Sequence, residues 1–371
     1  MADIEIGRGK RGRVAYSLDE VAIAPSRRTR DADETSTSWQ IDAYRFEAPI
    51  MGAPMDSVVS PQSAVALGQL GVPAALNLEG LWTRYADPIP VIERILAAPD
   101  HQATAVLQRV YAEAPIDEGL IRERVAQIRD GGATVTVGLS PQAATSLAPV
   151  AVAAGVDLLV IRGTTVSAEH VSSAGTPLNL KTFIYELEVP VIVGGCATYQ
   201  AALHLMRTGA AGVLVGFGGG ASHTTADVLG IRVPMASAIA DVAAARRDYL
   251  DESGGRYVHV IADGSVGSSG ALVKAIACGA DAAMVGSLLA RAGDAPGRGM
   301  HWGAEAWHAH LPRGERKDLG VVGSFEQILR GPSATADGSA NIVGALRKAM
   351  ATTGYSDLKE FQRIDVVLDP H

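Results

Sequence analysis

Cysteine is nearly absent from this sequence: two residues, Cys196 and Cys278, among 371. A disulfide framework is excluded on that count. Aromatic residues make up 5% of the chain, too few for the stacked rings with which proteins grip single-stranded nucleic acid. Basic residues are also in deficit. The 32 Lys and Arg stand against 40 Asp and Glu, a formal charge of -8, whereas affinity for polyanions comes mainly from clustered cations neutralising phosphates. The short basic run Arg8, Lys10, Arg11, Arg13 therefore reads as a solvated N-terminal arm. No apolar stretch reaches about 18 residues without a charge or a Gly/Pro break, so no membrane span is expected. The first residues lack the apolar core of a secretory signal, and the expected compartment is the reducing cytoplasm. Neither a nucleic acid nor a membrane is an expected partner.

What is present is a repeating pattern. Short β-branched runs alternate with alanine-rich helical stretches, as in successive βα units around a parallel sheet. Eight runs fit: 48–53, 72–76, 133–138, 156–161, 189–194, 212–216, 257–262 and 282–286. Helices are expected at 63–70, 118–130, 142–154, 199–208, 235–251 and 271–278. Several end in glycine just before the next strand, at Gly71, Gly155, Gly209 and Gly279, the residue that closes a helix with positive φ at no Cβ penalty. The segments beginning at Ala154, Thr208 and Cys278 repeat one another as helix end, glycine turn and buried strand. Eight such units predict an α/β fold, a (β/α)8 TIM barrel, with residues 1–45 as an N-terminal extension and 295–371 as C-terminal additions. The alternative is a doubly wound open sheet, which usually has fewer strands and a dinucleotide fingerprint near the first. No Pro/Ser-rich linker divides the chain, so residues 1–371 are read as one domain.

A barrel of this kind carries its chemistry at the C-terminal ends of its strands. After the seventh and eighth runs come Asp263-Gly-Ser265 and Gly286-Ser287, the latter opening a helix-like stretch to Arg291. Glycines let backbone N–H groups approach an anion, a helix N-terminus adds positive potential, and a serine hydroxyl adds a donor. The expectation is a phosphate site at Gly264, Ser265, Gly286 and Ser287, with Asp263 beside the sugar of a nucleotide as acceptor for its hydroxyls. After the sixth run, Gly216 to Thr225 superficially matches a dinucleotide fingerprint, but no helix opens at its glycines. Such a loop suits a mobile active-site segment whose carbonyls wrap a monovalent cation. His301, Glu305, His308 and His310 have partly helical spacing but lack a recognised zinc motif. Cys196 is read as a small buried hydrophobe at a strand end, and Cys278 as structural.

The motifs that carry a family resemblance are Ala48-Pro-Ile-Met-Gly-Ala-Pro-Met-Asp56, Val191-Ile-Val-Gly-Gly-Cys-Ala-Thr-Tyr199, the loop 216–225, Ile261-Ala-Asp-Gly-Ser-Val266, Gly279-Ala-Asp-Ala-Ala-Met-Val-Gly-Ser287, Asp294-Ala-Pro-Gly297 and Gly344-Ala-Leu-Arg-Lys-Ala-Met350. In this order they resemble the IMP dehydrogenase/GMP reductase family, specifically its short branch without paired CBS domains. The resemblance implies a homotetramer of barrels binding a purine 5'-monophosphate (IMP, GMP or XMP), with NAD or NADP as redox cofactor and K+ as activating cation. It places Met55 in the nucleotide pocket, Gly218, Gly220 and His223 as carbonyl ligands for K+, and Thr225 as a loop threonine assisting catalysis.

Several positions depart from the family pattern. His223 stands where the family keeps its attacking cysteine, Arg162 where an aspartate usually lies beside the nicotinamide ribose, Gly195 for an asparagine, and Ala221 for a phosphate-binding serine. A thiolate attacks carbon and leaves again readily, whereas an imidazole is better suited to proton transfer. Two readings follow. One is a nucleotide oxidoreductase of guanine nucleotide metabolism in which His223 acts as acid and base. The other is a catalytically silent purine-nucleotide sensor or assembly partner. An FMN-dependent barrel enzyme is a third, since such enzymes use a similar phosphate site.

Overall fold

The structure is a computed structural model that describes residues 3–25, 27–168, 170, 178–217, 220, 221, 225–308 and 314–369. Eight parallel strands form one sheet. They are β1 (Ile50–Gly52), β2 (Ala75–Asn77), β3 (Thr136–Leu139), β4 (Leu158–Arg162), β5 (Val191–Cys196), β6 (Gly212–Val215), β7 (His259–Asp263) and β8 (Ala282–Val285). Each pairs with its neighbours in chain order, and β8 returns to β1 through Ala283–Ile50, Met284–Met51 and Val285–Gly52. A parallel bridge from Gly52 to Ala74, just ahead of β2, closes the ring. Close approach explains the glycine here: a Cβ on Gly52 would lie 2.9 Å from that of Ala74.

Every expected run overlaps one barrel strand, five of which extend one or two residues beyond the expected end, and the sheet is the (β/α)8 barrel and not an open one. The strands are buried on both faces, which is why they read as continuous apolar runs without period-two alternation. Helices return outside the ring, and the glycines that close them, Gly71, Gly155, Gly209 and Gly279, have φ of 74°, 89°, 97° and 117°. Between β2 and β3 the chain forms three helices, Ile89–Ala97, Asp100–Glu113 and Glu118–Asp130.

The additions cover the two ends of the barrel. The basic run lies in a mostly exposed hairpin of Asp3–Gly7 with Lys10–Arg13, and Arg13 is anchored to Asp241 on the helix Met235–Glu252. A second hairpin, Trp39–Ile41 with Tyr44–Phe46, floors the N-terminal end of the barrel. There Trp39 Nε1 donates to His259 Nδ1 at 3.3 Å, and Tyr44 Oη donates to Asp157 at 3.2 Å, next to the starts of β7 and β4. At the opposite end a strap, Met300–Trp302 paired with Arg316–Asp318, crosses toward the helix Asp100–Glu113. The buried Arg316 fixes it by donating to Asp100 at 2.7 Å and to the carbonyl of Ile95. None of the helices among the described residues is long and apolar enough to cross a membrane.

Candidate active site

At the C-terminal end of the barrel, the loops after β1, β4, β6, β7 and β8 enclose a cleft of about 580 Å³. Met55, Gly220, Asp263, Gly264, Ser265, Gly286 and Ser287 all line it, so residues from four separate sequence segments meet at one place. Thr225 does not line it; that threonine is fully buried at the start of the short helix Thr225–Leu229. Gly218 and His223 lie outside the described residues.

Backbone geometry accounts for the glycines. After Asp263 the chain turns through two consecutive left-handed residues, Gly264 at φ 99° and Ser265 at φ 58°. A serine in that region carries a steric cost of about 1 kcal/mol, and such costs concentrate at functional loops. On the opposite wall, a Cβ on Gly286 would sit 3.0 Å from Met55 Sδ and 3.3 Å from His301 Cε1. Any larger residue would therefore fill the cleft where Met55 and His301 converge. Beneath them, Gly216 has φ 145°, and a side chain there would strike the Asp263 carbonyl at 2.2 Å.

Two residues give the cleft a character that motif reading did not anticipate. Arg162, at the end of β4, reaches across to Asp263 at the end of β7 with Nε donating to Oδ2 at 2.7 Å and Nη2 to Oδ1 at 3.2 Å. The side chains are 13% and 11% exposed, so this is a largely buried, two-pronged pair on the cleft wall. Burial pulls the Arg162 guanidinium toward neutrality, but the charges of Asp263 and Glu305 outweigh it and hold its pKa above the ordinary value. Arg162 and Asp263 were each visible in the sequence, the first as a departure from the family pattern; their pairing was not.

The second is His301. It sits on the strap, is 1% exposed, and contacts the Ser57 hydroxyl through Nδ1 at 3.2 Å while its ring forms part of the cleft wall. Sequence spacing placed it with Glu305, His308 and His310 in a segment that lacks a zinc motif. Among the described residues no cluster of three or more metal-ligating side chains occurs, and His310 lies outside them. The useful signal would have been the strap pairing, which folds residues 300–302 back over the strand ends; nothing in local periodicity shows it.

Behind Met55 runs a buried polar network. Asp56 accepts hydrogen bonds from Tyr111 Oη, from the backbone of Leu81 at 3.2 Å and from Asn77 Nδ2 at 3.4 Å. Trp302 Nε1 donates to Tyr111 Oη at 3.1 Å, linking the strap to the β1 loop. Burial raises the Asp56 pKa to about 6, with these donors opposing it.

Neither cysteine lines the cleft. Cys196 ends β5 fully buried, with its pKa pushed up to about 12 by burial, and Cys278 closes the helix Ser269–Ala277 with its pKa raised to about 11 for the same reason. These are the two cysteines of the chain, so no thiolate faces the cleft.

A second, larger cleft of about 1440 Å³ adjoins the first and shares Arg162, Gly163 and Thr164 with it. The Trp307 ring forms one wall, stacked on Tyr111 at 4.7 Å between centroids. Glu79 lines another, held by Ser140 through its backbone N–H at 2.5 Å and its hydroxyl at 3.0 Å.

Comparison with known proteins agrees with this architecture. Residues 15–314 match the IMP dehydrogenase / GMP reductase domain model. An uncharacterized oxidoreductase of Mycolicibacterium smegmatis is 54% identical over 98% of this chain and 99% of its own. The inosine-5'-monophosphate dehydrogenase of Thermoplasma acidophilum is 34% identical over 57% of this chain and 44% of its own. A solved IMP dehydrogenase/GMP reductase-like protein from Corynebacterium glutamicum superposes with a TM-score of 0.93 at 49% identity, covering 99% of this chain and 97% of that one. The chain belongs to the IMP dehydrogenase / GMP reductase domain family.

Proposed function

We propose that the cleft binds a purine 5'-monophosphate, and that the chemistry of this chain does not pass through a thiolate adduct. The observation that carries the reading is the convergence of the Gly264-Ser265 turn and the Gly286-Ser287 turn on one enclosed wall. Two glycine-opened backbones with two hydroxyls suit a phosphate, which needs several N–H and O–H donors at close range. Asp263 stands at the mouth of the β7 turn, within reach of a sugar attached to that phosphate. Arg162 already grips both its oxygens, so a ribose hydroxyl would share the carboxylate with a guanidinium. Met55 and His301, opposite the turn, would face the base.

Membership of the family and the oxidoreductase name of the M. smegmatis relative support a redox role. The adjoining cleft fits part of a nicotinamide dinucleotide: it is large, open to the first cleft beside Arg162, and offers the Trp307 face with Glu79 as acceptor. NAD or NADP bound there would supply a hydride acceptor or donor. Thr164, Arg162 and Trp307 would hold and orient the ring end, and His223 is the residue proposed to move the proton. A K+ ion on the 216–225 loop carbonyls is proposed on the family resemblance.

The second reading, a silent nucleotide binder, is favoured by the lack of a cleft-facing thiol. Loss of a group that acts as part of a catalytic unit removes many orders of magnitude of rate. Absorbance at 340 nm separates the two: NADH formed from IMP in the presence of K+, or NADPH consumed with GMP, supports the oxidoreductase, and no turnover above buffer supports the binder. Both require that millimolar IMP, GMP or XMP raise the melting temperature, since a ligand of the native state stabilises it by mass action. An unchanged melting temperature with all three refutes nucleotide binding itself.

A further inference from the structure

At the other end of the barrel lies a pocket unconnected with the strand-end chemistry. Arg27, Arg28 and Arg363 line it together with Thr353, Tyr355 and Glu360, around about 650 Å³ of space. Its walls come from three places: the segment after the strand Val21–Ile23, the end of the helix Ile342–Thr352, and the short helix Leu358–Phe361. The same short-helix region contacts Asp281, the residue preceding β8, through Lys359 and Gln362, which sets the pocket at the N-terminal end of the barrel. The proposed nucleotide cleft is at the opposite end.

Arg27, Arg28 and Arg363 are exposed, but the backbone that carries them is held in place. Arg30 N donates to the Ala351 carbonyl at 2.8 Å, pinning the arginine segment to the helix end. Gly354 turns at φ 83°, and a side chain there would lie 2.7 Å from the Arg28 carbonyl, so the two backbones meet directly. Tyr355 is held edge-on against the buried Phe361 at 5.8 Å.

Charge is what makes the pocket informative. Among the described residues no ion pair or side-chain hydrogen bond engages the guanidinium groups of Arg27, Arg28 or Arg363. Glu360 is the one carboxylate on the wall, and the Ser356 hydroxyl at 2.6 Å and backbone N–H at 3.2 Å already bind it. Those bonds, aided by Arg30 and Arg363, hold its carboxyl below the usual range. Three like charges around one space repel one another, weakly because all three side chains are exposed to solvent, and in a chain of net charge -8 there is no general surplus of cations to account for them. An anion bearing more than one negative charge would relieve that repulsion, and guanidinium forks match phosphate oxygens in pairs. The space is open to solvent and wide enough to admit a chain of phosphates.

We propose that this pocket binds a polyphosphate group, the charge class of a nucleoside di- or triphosphate tail, at a site separate from the strand-end cleft. The test is calorimetric titration of the full-length protein with inorganic triphosphate and, separately, with ATP, against sodium sulfate at matched ionic strength. Saturable binding of triphosphate or ATP that weakens at least tenfold in the Arg27→Gln/Arg28→Gln/Arg363→Gln variant, and persists in Ser265→Ala/Ser287→Ala, supports the proposal. Three results overturn it: no saturable binding beyond the sulfate response, equal affinity in the triple variant, or loss of binding in the serine variant alone, which would assign the anion to the strand-end cleft. A second measurement needs no variant. Phenylglyoxal labelling of the wild-type protein, read by peptide mass spectrometry, should slow at Arg27, Arg28 and Arg363 when triphosphate is present; unchanged rates at all three contradict the site. Because the strand-end cleft is read by IMP and this pocket by triphosphate, failure of one proposal leaves the other standing.

Discussion

Two aspartate–arginine pairs sit at opposite ends of neighbouring strands, and they are built differently. Asp281, just before β8, is 2% exposed and ringed by partners. Arg246 donates at 2.7 Å, Tyr257 Oη at 2.7 Å, the Val260 N–H at 2.8 Å and Gln362 at 3.1 Å, with Lys359 also in contact. Burial alone would raise its pKa, but Arg246, Lys359 and His259 overcome that and hold its carboxyl far below the usual range. Asp263, at the end of β7, is paired with Arg162 and otherwise faces a cleft. One carboxylate has its acceptor capacity used up inside the protein, and the other keeps part of it turned toward a ligand. Buried ion pairs as such thus say little about function; what separates these two is whether the surrounding space is filled.

Breaking the saturated pair gives the largest effect. Asp281→Asn strands Arg246 and Lys359 around an uncharged amide, and losing one partner of a buried pair costs about 3–5 kcal/mol. Urea unfolding should show that loss; a change below about 1 kcal/mol would mean the network carries little stability. The same group sets an acid limit. With its folded pKa depressed, Asp281 contributes stability that is present above the ordinary carboxylate value of 3.8 and lost as pH falls below it toward the folded value.

A third buried carboxylate sharpens the contrast, because Asp56 has neutral hydrogen-bond partners and, among the described residues, no cation within ion-pair distance. Its pKa is raised from 3.8 to about 6, so stability is fully present below pH 3.8 and lost as pH rises through about 6. By linkage the difference is on the order of 3 kcal/mol. Unfolding free energies of wild type and Asp56→Asn measured between pH 4 and 7 should show the wild-type decline flattened in the variant; parallel curves would contradict the raised pKa.

Smaller effects are expected at the cleft. Asp263→Asn should cost about 1–2 kcal/mol of stability, less than Asp281→Asn, because the guanidinium it leaves behind borders open space. Ser287→Ala should leave folding within about 0.5 kcal/mol and weaken nucleotide monophosphate binding roughly tenfold, the worth of one hydrogen bond to a charged group. Comparable stability losses in Asp263→Asn and Asp281→Asn would erase the distinction drawn between them.

The sequence revealed the strands and the loops that close the cleft because both are local signals. Apolar runs mark β1 to β8, and Gly264 and Gly286 follow β7 and β8 directly. What it concealed is tertiary. Arg162 and Asp263 are 101 residues apart and meet only because β4 and β7 end on the same rim of the ring. His301 reaches the cleft through a strap whose pairing with residues 316–318 leaves no periodic trace. The arginine pocket joins residues from both ends of the chain, which composition averages away under a net charge of -8.

The central claim is that a nucleotide's phosphate lies between the Gly264-Ser265 and Gly286-Ser287 turns. A crystal structure of the protein soaked with IMP tests it directly. The account predicts tetrahedral density within hydrogen-bonding distance of both turns, with the ribose toward Asp263. IMP bound elsewhere, or this cleft unchanged at saturating IMP, would contradict it.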